Sequence, residues 1–364
     1  MPRNAVINKI KVVSPGRICL FGDHQDYLGL PVIACAINKQ LVLTAKETPE
    51  NVLHILMPDI ASERRIPVSE TFETLQLNDH FASALIVLRN YGCIPNRGFT
   101  IELNSNLPIN AGVSSSSATI VAWIHFLLVA FGCDHEVTSQ LIAQIAYEAE
   151  VIQHNSPGGR MDQYTIAIGN IIYIDTAQKS AYKTIGTSMD GLILAESGVA
   201  KDTLGLLSHI RTNATEAIEY VKQHFSEFEL KEAKMTEYEM YSESMPENLK
   251  PYFYAAIKNH SITRKATALF EENTYDMAEM GKLMNAHHDV LKSLLKITVP
   301  KIDAMIDAAI EAGAYGAKIV GSGGGGSIVA LAPKNQKEMI IKAILKSGAK
   351  DAYEVSVTRG SYIV

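Results

Sequence analysis

Four short stretches of the 364-residue chain carry residue types that could do chemistry at close spacing. The strongest is Pro108-Ile-Asn-Ala-Gly-Val-Ser-Ser-Ser-Ser-Ala118, set between a strand pattern and a long apolar run. Gly112 permits a tight turn. Ser114, Ser115, Ser116 and Ser117 then bring hydroxyls and amide N–H groups to a helix N-terminus, where the dipole is positive. Such an end binds phosphate. One serine would suffice as a helix cap, so four in succession point to a ligand. The stretch is not a Walker A loop, because no Gly-Lys-Ser/Thr follows.

The second stretch is Ser14-Pro-Gly-Arg-Ile-Cys-Leu-Phe-Gly-Asp-His-Gln-Asp-Tyr27. A strand bearing Arg17 runs into a turn that holds Asp23, His24 and Asp26. Each carboxylate can accept several hydrogen bonds, which suits a polyhydroxylated ligand. A solvated turn is the plainer reading, and a single His with two Asp is a poor zinc set. The third, Asn155-Ser-Pro-Gly-Gly-Arg-Met-Asp-Gln-Tyr164, sets Asp162 between a glycine-rich turn and an expected strand from Ile166. The fourth is Gly321-Ser-Gly-Gly-Gly-Gly326. Consecutive glycines between apolar strands cost backbone entropy, so the close approach of another backbone or a ligand is expected there.

These stretches need a scaffold. Strands are expected at Ile10–Val13, Arg17–Phe21, Val32–Ile37, Leu41–Thr44 and Phe99–Leu103, where β-branched and apolar residues lie between turn signals. Ser116–Phe131 is apolar on nearly every face and predicts a helix buried on all sides. A second helix is expected from Asp134 to about His154. On it Glu148 falls with Leu141, Ile145 and Ile152, whereas Glu150 falls with Ala143 and Ala146, and either could offer a carboxylate to a hard cation. After a strand at Ile171–Asp175, residues 205–312 are dominated by amphipathic helices. The chain then reads strand, glycine loop and strand over 318–331, with a helix near 337–345 and a last strand over 352–358. A domain boundary is expected near 185.

Composition narrows the function. The chain is 47% hydrophobic and 20% charged, with a net charge of -6, as in ordinary globular proteins and without the basic excess of a nucleic-acid binder. No apolar run approaches the ~18 residues of a membrane span. The first residues lack a signal-peptide pattern, so a cytoplasmic location is the default expectation. Cys19, Cys35, Cys93 and Cys133 are scattered and read as free buried thiols. An anionic ligand would have to be held locally, by amides, hydroxyls and metal ions.

In their order along the chain the four stretches resemble the motifs of the GHMP kinase superfamily, and most closely its galactokinase branch. Pro15-Gly16-Arg17 with Gly22-Asp23-His24-Gln25-Asp26-Tyr27 is similar to the galactokinase sugar motif, except that Asp23 stands where the family has Glu. Gly112-Val-Ser-Ser-Ser resembles the phosphate loop, Gly159-Arg-Met-Asp162-Gln163 the third motif and Gly321–Gly326 the C-terminal glycine loop.

The resemblance implies an α+β fold of two domains: a ribosomal-protein-S5-like domain over 1–185 and a ferredoxin-like α/β domain over 186–364, with the active site in the cleft between them. It implies phosphoryl transfer from ATP to the anomeric C1 hydroxyl of galactose or a related aldose. Asp162 would take the catalytic carboxylate's place, paired with Arg17. Asp23, His24 and Asp26 would hold sugar hydroxyls, and Gly159 would let the sugar approach. Gly112 and Ser114–Ser117 would bind phosphate. Ser116 and Glu150 would hold Mg2+, the match to the family deciding between the two glutamates. The expected partners are sugar and ATP, with neither nucleic acid nor membrane, in a monomer or homodimer.

Asp23 leaves the C6 substituent open, since the family Glu reaches the far end of the sugar. Ile37-Asn-Lys39 also looks like its counterpart in galacturonate kinases, although a uronate carboxylate would not favour facing Asp23. Rival readings are another GHMP kinase, acting on galacturonate, arabinose, a heptose, mevalonate or homoserine, a non-catalytic sugar sensor, and a structural protein.

Overall fold

A computed structural model describes residues 9–177, 181–200, 203–272 and 276–364. The first part of the chain comprises β1 (Lys9–Phe21), β2 (Val32–Thr48), β3 (Val52–Met57), β4 (Ser62–Pro67), α1 (His80–Arg89), β5 (Gly98–Ser105), α2 (Ser115–Phe131), α3 (Ser139–Tyr147), α4 (Met161–Ile168), β6 (Ile171–Asp175) and β7 (Ala181–Gly186). The second comprises β8 (Leu192–Glu196), α5 (Thr203–His224), α6 (Tyr238–Ser242), α7 (Lys250–Glu271), α8 (Met277–Ser293), α9 (Pro300–Glu311), β9 (Gly316–Val320), β10 (Ser327–Leu331), α10 (Lys337–Lys346), β11 (Asp351–Glu354) and β12 (Tyr362–Ile363).

The larger sheet has the order β12-β1-β2-β5-β3-β4, with β6 and β7 continuing from the first half of β2. The four strands expected before residue 45 are in fact two. β1 and β2 pair antiparallel from Lys9↔Lys46 to Phe21↔Ile33, and register shifts at Pro15/Gly16 and Cys19/Phe21 absorb the turn-like residues. Proline donates nothing to a ladder, so it is accommodated at such an irregularity without ending the strand. α2 crosses β1 and β2 as the buried helix its composition demands, with Trp123, Ile124, Phe126 and Leu127 wholly inaccessible.

Two expectations around the site are corrected. The helix after α2 begins at Ser139, where the Thr138 hydroxyl accepts from the Leu141 N–H, because exposed Asp134-His-Glu has no apolar stripe to bury. It then widens into one π-helical turn over Glu148–Ile152. Residues after Met161 form α4, not a strand. Met161 and Gln163 to Ala167 are buried on nearly every face, and Thr165 bonds back to the Met161 carbonyl one helical turn earlier. A short apolar run does not choose between the two by pattern alone.

The smaller sheet, β11-β8-β10-β9, is antiparallel throughout. Strand, helices, hairpin, helix and strand in that order are the ferredoxin-like arrangement. The strand expected over 352–358 ends at Glu354. Residues 356–363 cross back to the larger sheet, where Val357 bridges Ile37 and β12 pairs with β1. Among the described residues no helix is long and apolar enough to cross a membrane. All four cysteines are free and three are buried.

Candidate active site

A cavity of about 870 Å³ opens where the β1–β2 turn, the loop before α2, the turn before α4 and the start of the glycine loop meet. Its wall contains Arg17, Asp23, His24, Asp26, Gly112, Ser114, Ser115, Ser116, Ser117, Glu150, Gly159 and Asp162, which are all of the site residues expected from the sequence. Residues up to 145 positions apart are thus gathered by the crossing of α2 and α4 over β1.

Asp162 lies in the first turn of α4, where the helix dipole favours a carboxylate. Arg17, 4% exposed, grips it with both arms: Nε donates to Oδ1 at 2.7 Å and Nη2 to Oδ2 at 2.8 Å. The third arm, Nη1, donates to the Gly112 carbonyl and so ties Asp162 to the loop before α2. Burial pulls the guanidinium pKa down, but the charge and hydrogen bonds of Asp162 outweigh it and the net shift is upward. Ser114 also donates to Asp162 Oδ2.

The β1–β2 turn presents Asp26 beside this pair. Asp26 Oδ1 accepts from the Tyr27 N–H at 3.0 Å, and His24 Nδ1 shares a hydrogen bond with the Tyr27 hydroxyl at 3.1 Å. Burial first, then the Asp162 charge, pushes the Asp26 carboxyl up to about 6 against backbone N–H donors. Gly159 abuts it so closely that a Cβ there would stand 2.2 Å from Asp26 Oδ2.

Asp23 sits in the same wall but is not free. Its carboxylate, 1% exposed, pairs with the wholly buried Lys318 at 2.7 Å and accepts from the Gly321 N–H at 3.3 Å. Burial opposes its charge, yet Lys318 and His287 prevail and lower it to about 2. Lys318 also donates to the carbonyls of Cys19 and Ile319, so this one ammonium links β9 to β1. His287 stacks on Phe21 and lies 3.9 Å from Asp23, where burial pushes it down to about 3. Nothing in the spacing of Lys318 or His287 marks them, since both lie in apolar strand and helix patterns more than 260 residues from Asp23.

Glu150 faces the serines. It accepts from Ser117 Oγ at 3.0 Å and from Gln163 Nε2 at 2.6 Å, with Ser116 adding a further hydrogen bond. Burial pushes it up to about 7 despite these donors. Glu148 instead accepts from Tyr91 and Gln144. The π-helical turn explains why a 3.6-residue period could not separate the two glutamates, because it changes the angular step just where they lie. A buried carboxylate held by neutral donors has room electrostatically for a cation. Among the described residues no group of three or more His, Cys, Asp and Glu could hold a metal, so a cation here would complete its shell with phosphate and water oxygens.

Only Gly321 and Ser322 of the glycine loop reach the cavity. The rest serves close backbone packing: at φ +134°, Gly325 has the Val199 carbonyl 2.7 Å from where its Cβ would be.

Three family models match the chain, together spanning more than half of it: the galactokinase galactose-binding signature at 7–47, the GHMP kinases N terminal domain at 79–170 and the GHMP kinases C terminal model at 266–350. A mevalonate kinase of Thermococcus gammatolerans is 25% identical over 357 residues, 96% of each chain. A galactokinase of Thermotoga neapolitana is 27% identical over 362 residues, again 96% of each. Among solved structures, Lactococcus lactis galactokinase complexed with galactose aligns at a TM-score of 0.85 and 20% identity, covering 97% of this chain and 95% of that one. Methanococcus jannaschii mevalonate kinase aligns at 0.72 and 19%, covering 98% and 100%. At those identities the structures speak for the fold alone. A phosphate loop, a carboxylate–guanidinium pair and a glycine loop on this fold, with the three matched models, place the chain in the GHMP kinase superfamily, with the galactokinase galactose-binding signature at its N-terminus.

Proposed function

We propose that this GHMP-family kinase transfers the γ-phosphoryl group of ATP to the anomeric C1 hydroxyl of galactose or a related aldose. The observation that carries the reading is the convergence of Asp162, Asp26 and His24 with the serine loop on the wall of one cavity, Ser114 touching Asp162 directly. A hydroxyl bound between them would lie against Asp162 and face the transferring group. Asp162 would orient and accept the proton of that hydroxyl, and Arg17 would hold the carboxylate and oppose the charge that develops. Because phosphoryl transfer asks little covalent chemistry of the protein, this positioning is the main contribution. Asp26 and His24 would bind sugar hydroxyls, Gly159 giving them room. Gly112, the serine hydroxyls and the first-turn amides of α2 would hold the phosphates. Mg2+, on Ser116 and Glu150, would neutralise phosphate charge.

Asp23 enters differently. Its charge is matched by Lys318, so it would neither compete strongly for a sugar hydroxyl nor repel a carboxylate at C6 as a free carboxylate would. A second reading has its own support: relatives named mevalonate kinase match as much of the chain as the galactokinases do, which favours a non-sugar alcohol as acceptor. Magnesium-dependent ADP release should be measured with galactose, galacturonate, arabinose, a heptose and mevalonate. Turnover with an aldose or uronate is expected. Turnover with mevalonate alone, or with none of these despite ATP binding, would overturn the sugar-kinase reading.

A further inference from the structure

We infer that Ser114 gates the base: its hydroxyl occupies Asp162 Oδ2 in the structure, and it leaves that oxygen for the terminal phosphate of an incoming nucleotide. The inference rests on the proposed phosphoryl transfer to an acceptor hydroxyl. Ser114 is the N-cap of α2, the position at which a serine normally bonds to the helix's own amides. Here it makes no such bond. Its backbone is held in the left-handed region, at φ 59° and ψ 48°, and its hydroxyl crosses instead to Asp162. A non-glycine residue there is strained, which needs a reason in its surroundings.

Counting acceptor sites shows what the crossing does. An ionised carboxylate offers about two sites per oxygen. Oδ2 accepts from Arg17 Nη2 and from Ser114, and is full. Oδ1 accepts from Arg17 Nε and keeps a site of its own, but Oδ2 is the oxygen on the serine-loop side, where the hydroxyl that receives the phosphoryl group would have to lie. Two of the three donors belong to one buried guanidinium that is also anchored to the Gly112 carbonyl, and releasing either would break an ion pair. The serine hydroxyl can leave by rotation of a single side-chain torsion. It also belongs to the loop whose amides and hydroxyls face the phosphates, so a multiply charged phosphate oxygen is its natural competitor for Asp162. Nucleotide binding then clears Oδ2, and an acceptor hydroxyl can use it. The two ligands are coupled through one proton donor, and by linkage each strengthens the other.

The test compares wild type with Ser114→Ala, which removes the hydroxyl, and Ser114→Gly, which also relieves the backbone. Acceptor affinity is measured by calorimetry with and without a non-hydrolysable magnesium–ATP analogue. A hydrogen bond to a charged group sets the scale: wild type should bind the acceptor roughly tenfold more tightly with the analogue present. Both variants should bind it without nucleotide as tightly as with it. Coupling in the variants equal to that in wild type would overturn the gate and leave Ser114 as a phosphate ligand only. A second readout needs no acceptor and so separates failure of the gate from failure of the sugar reading. With 13C-labelled aspartate carboxyls, the resonance absent from Asp162→Asn should move on adding the analogue to wild type and move less than half as far in Ser114→Ala. Equal movement in both would refute the gate.

Discussion

Asp26 shows how far the cleft is built against its own stability. Its carboxyl titrates at about 6 in the folded protein against 3.8 as a free side chain, with burial the larger cause and the Asp162 charge the second. A shift of about two units corresponds to roughly 3 kcal/mol between the protonated and ionised forms. The side chain is half-buried and faces an open cavity, so water screens part of this and about 1–2 kcal/mol is the working figure. The sign follows from linkage. Between pH 4 and 6 the unfolded chain has released the proton that the folded protein still holds, so Asp26 makes stability fall as pH rises through that window. Above about pH 6 it is ionised in both states and the folded state carries the whole penalty.

Asp26→Asn keeps the shape and removes the charge. At pH 8 the variant should therefore be about 1–2 kcal/mol more stable than wild type in the denaturation transition that reports the larger sheet, and the advantage should shrink to near zero at pH 4. Turnover should fall, because the carboxylate would be a sugar ligand. This is the trade expected where a site holds charges that the fold would rather lack. Urea titrations at pH 4, 5, 6 and 8, followed by Trp123 fluorescence, measure it. A stability difference that does not change with pH, or one favouring wild type at pH 8, would refute the reasoning.

Two further predictions concern charges held in place. Asp162→Asn should lower turnover by about 10³-fold while nucleotide affinity changes little, measured by ADP release and by titration with an ATP analogue; retained turnover would remove Asp162 from the role of base. Asp23→Asn should destabilise the protein by about 3–5 kcal/mol because it strands the buried Lys318 ammonium, whereas the double variant Asp23→Asn, Lys318→Met should recover much of that loss. Chemical denaturation of the three proteins tests this, and a double variant no better than the single would show that Lys318 tolerates burial alone.

The motifs made the site legible before the fold was. The serines are recognisable because four in succession exceed what a helix cap needs, whereas Arg17, Asp162 and Gly159 stand out only through the resemblance of their motifs to a known family. α2 was legible for the opposite reason, since a helix apolar on every face has only one place to go. What stayed hidden depends on long-range pairing. Lys318 reads as an exposed strand residue until β9 is laid beside β1, and His287 as one side of an amphipathic helix until Phe21 and Asp23 are brought to it. Eight residues are too few to show a period, so α4 reads as a strand, and the wide helical turn over Glu148–Ile152 leaves periodicity unable to separate the two glutamates, so that the family match alone selects Glu150.

The return of residues 356–363 to the larger sheet bears on how the protein is made. β12 closes the β1 edge, and Gly169 and Gly360 pack so tightly that a Cβ on the first would lie 1.8 Å from the nitrogen of the second. The strand that carries Arg17 leaves the ribosome well before β12, the segment that closes its outer edge. Until then it is an open ladder. The larger sheet is therefore closed only after the ferredoxin-like part has emerged, and vectorial folding gives way there to one long-range closure.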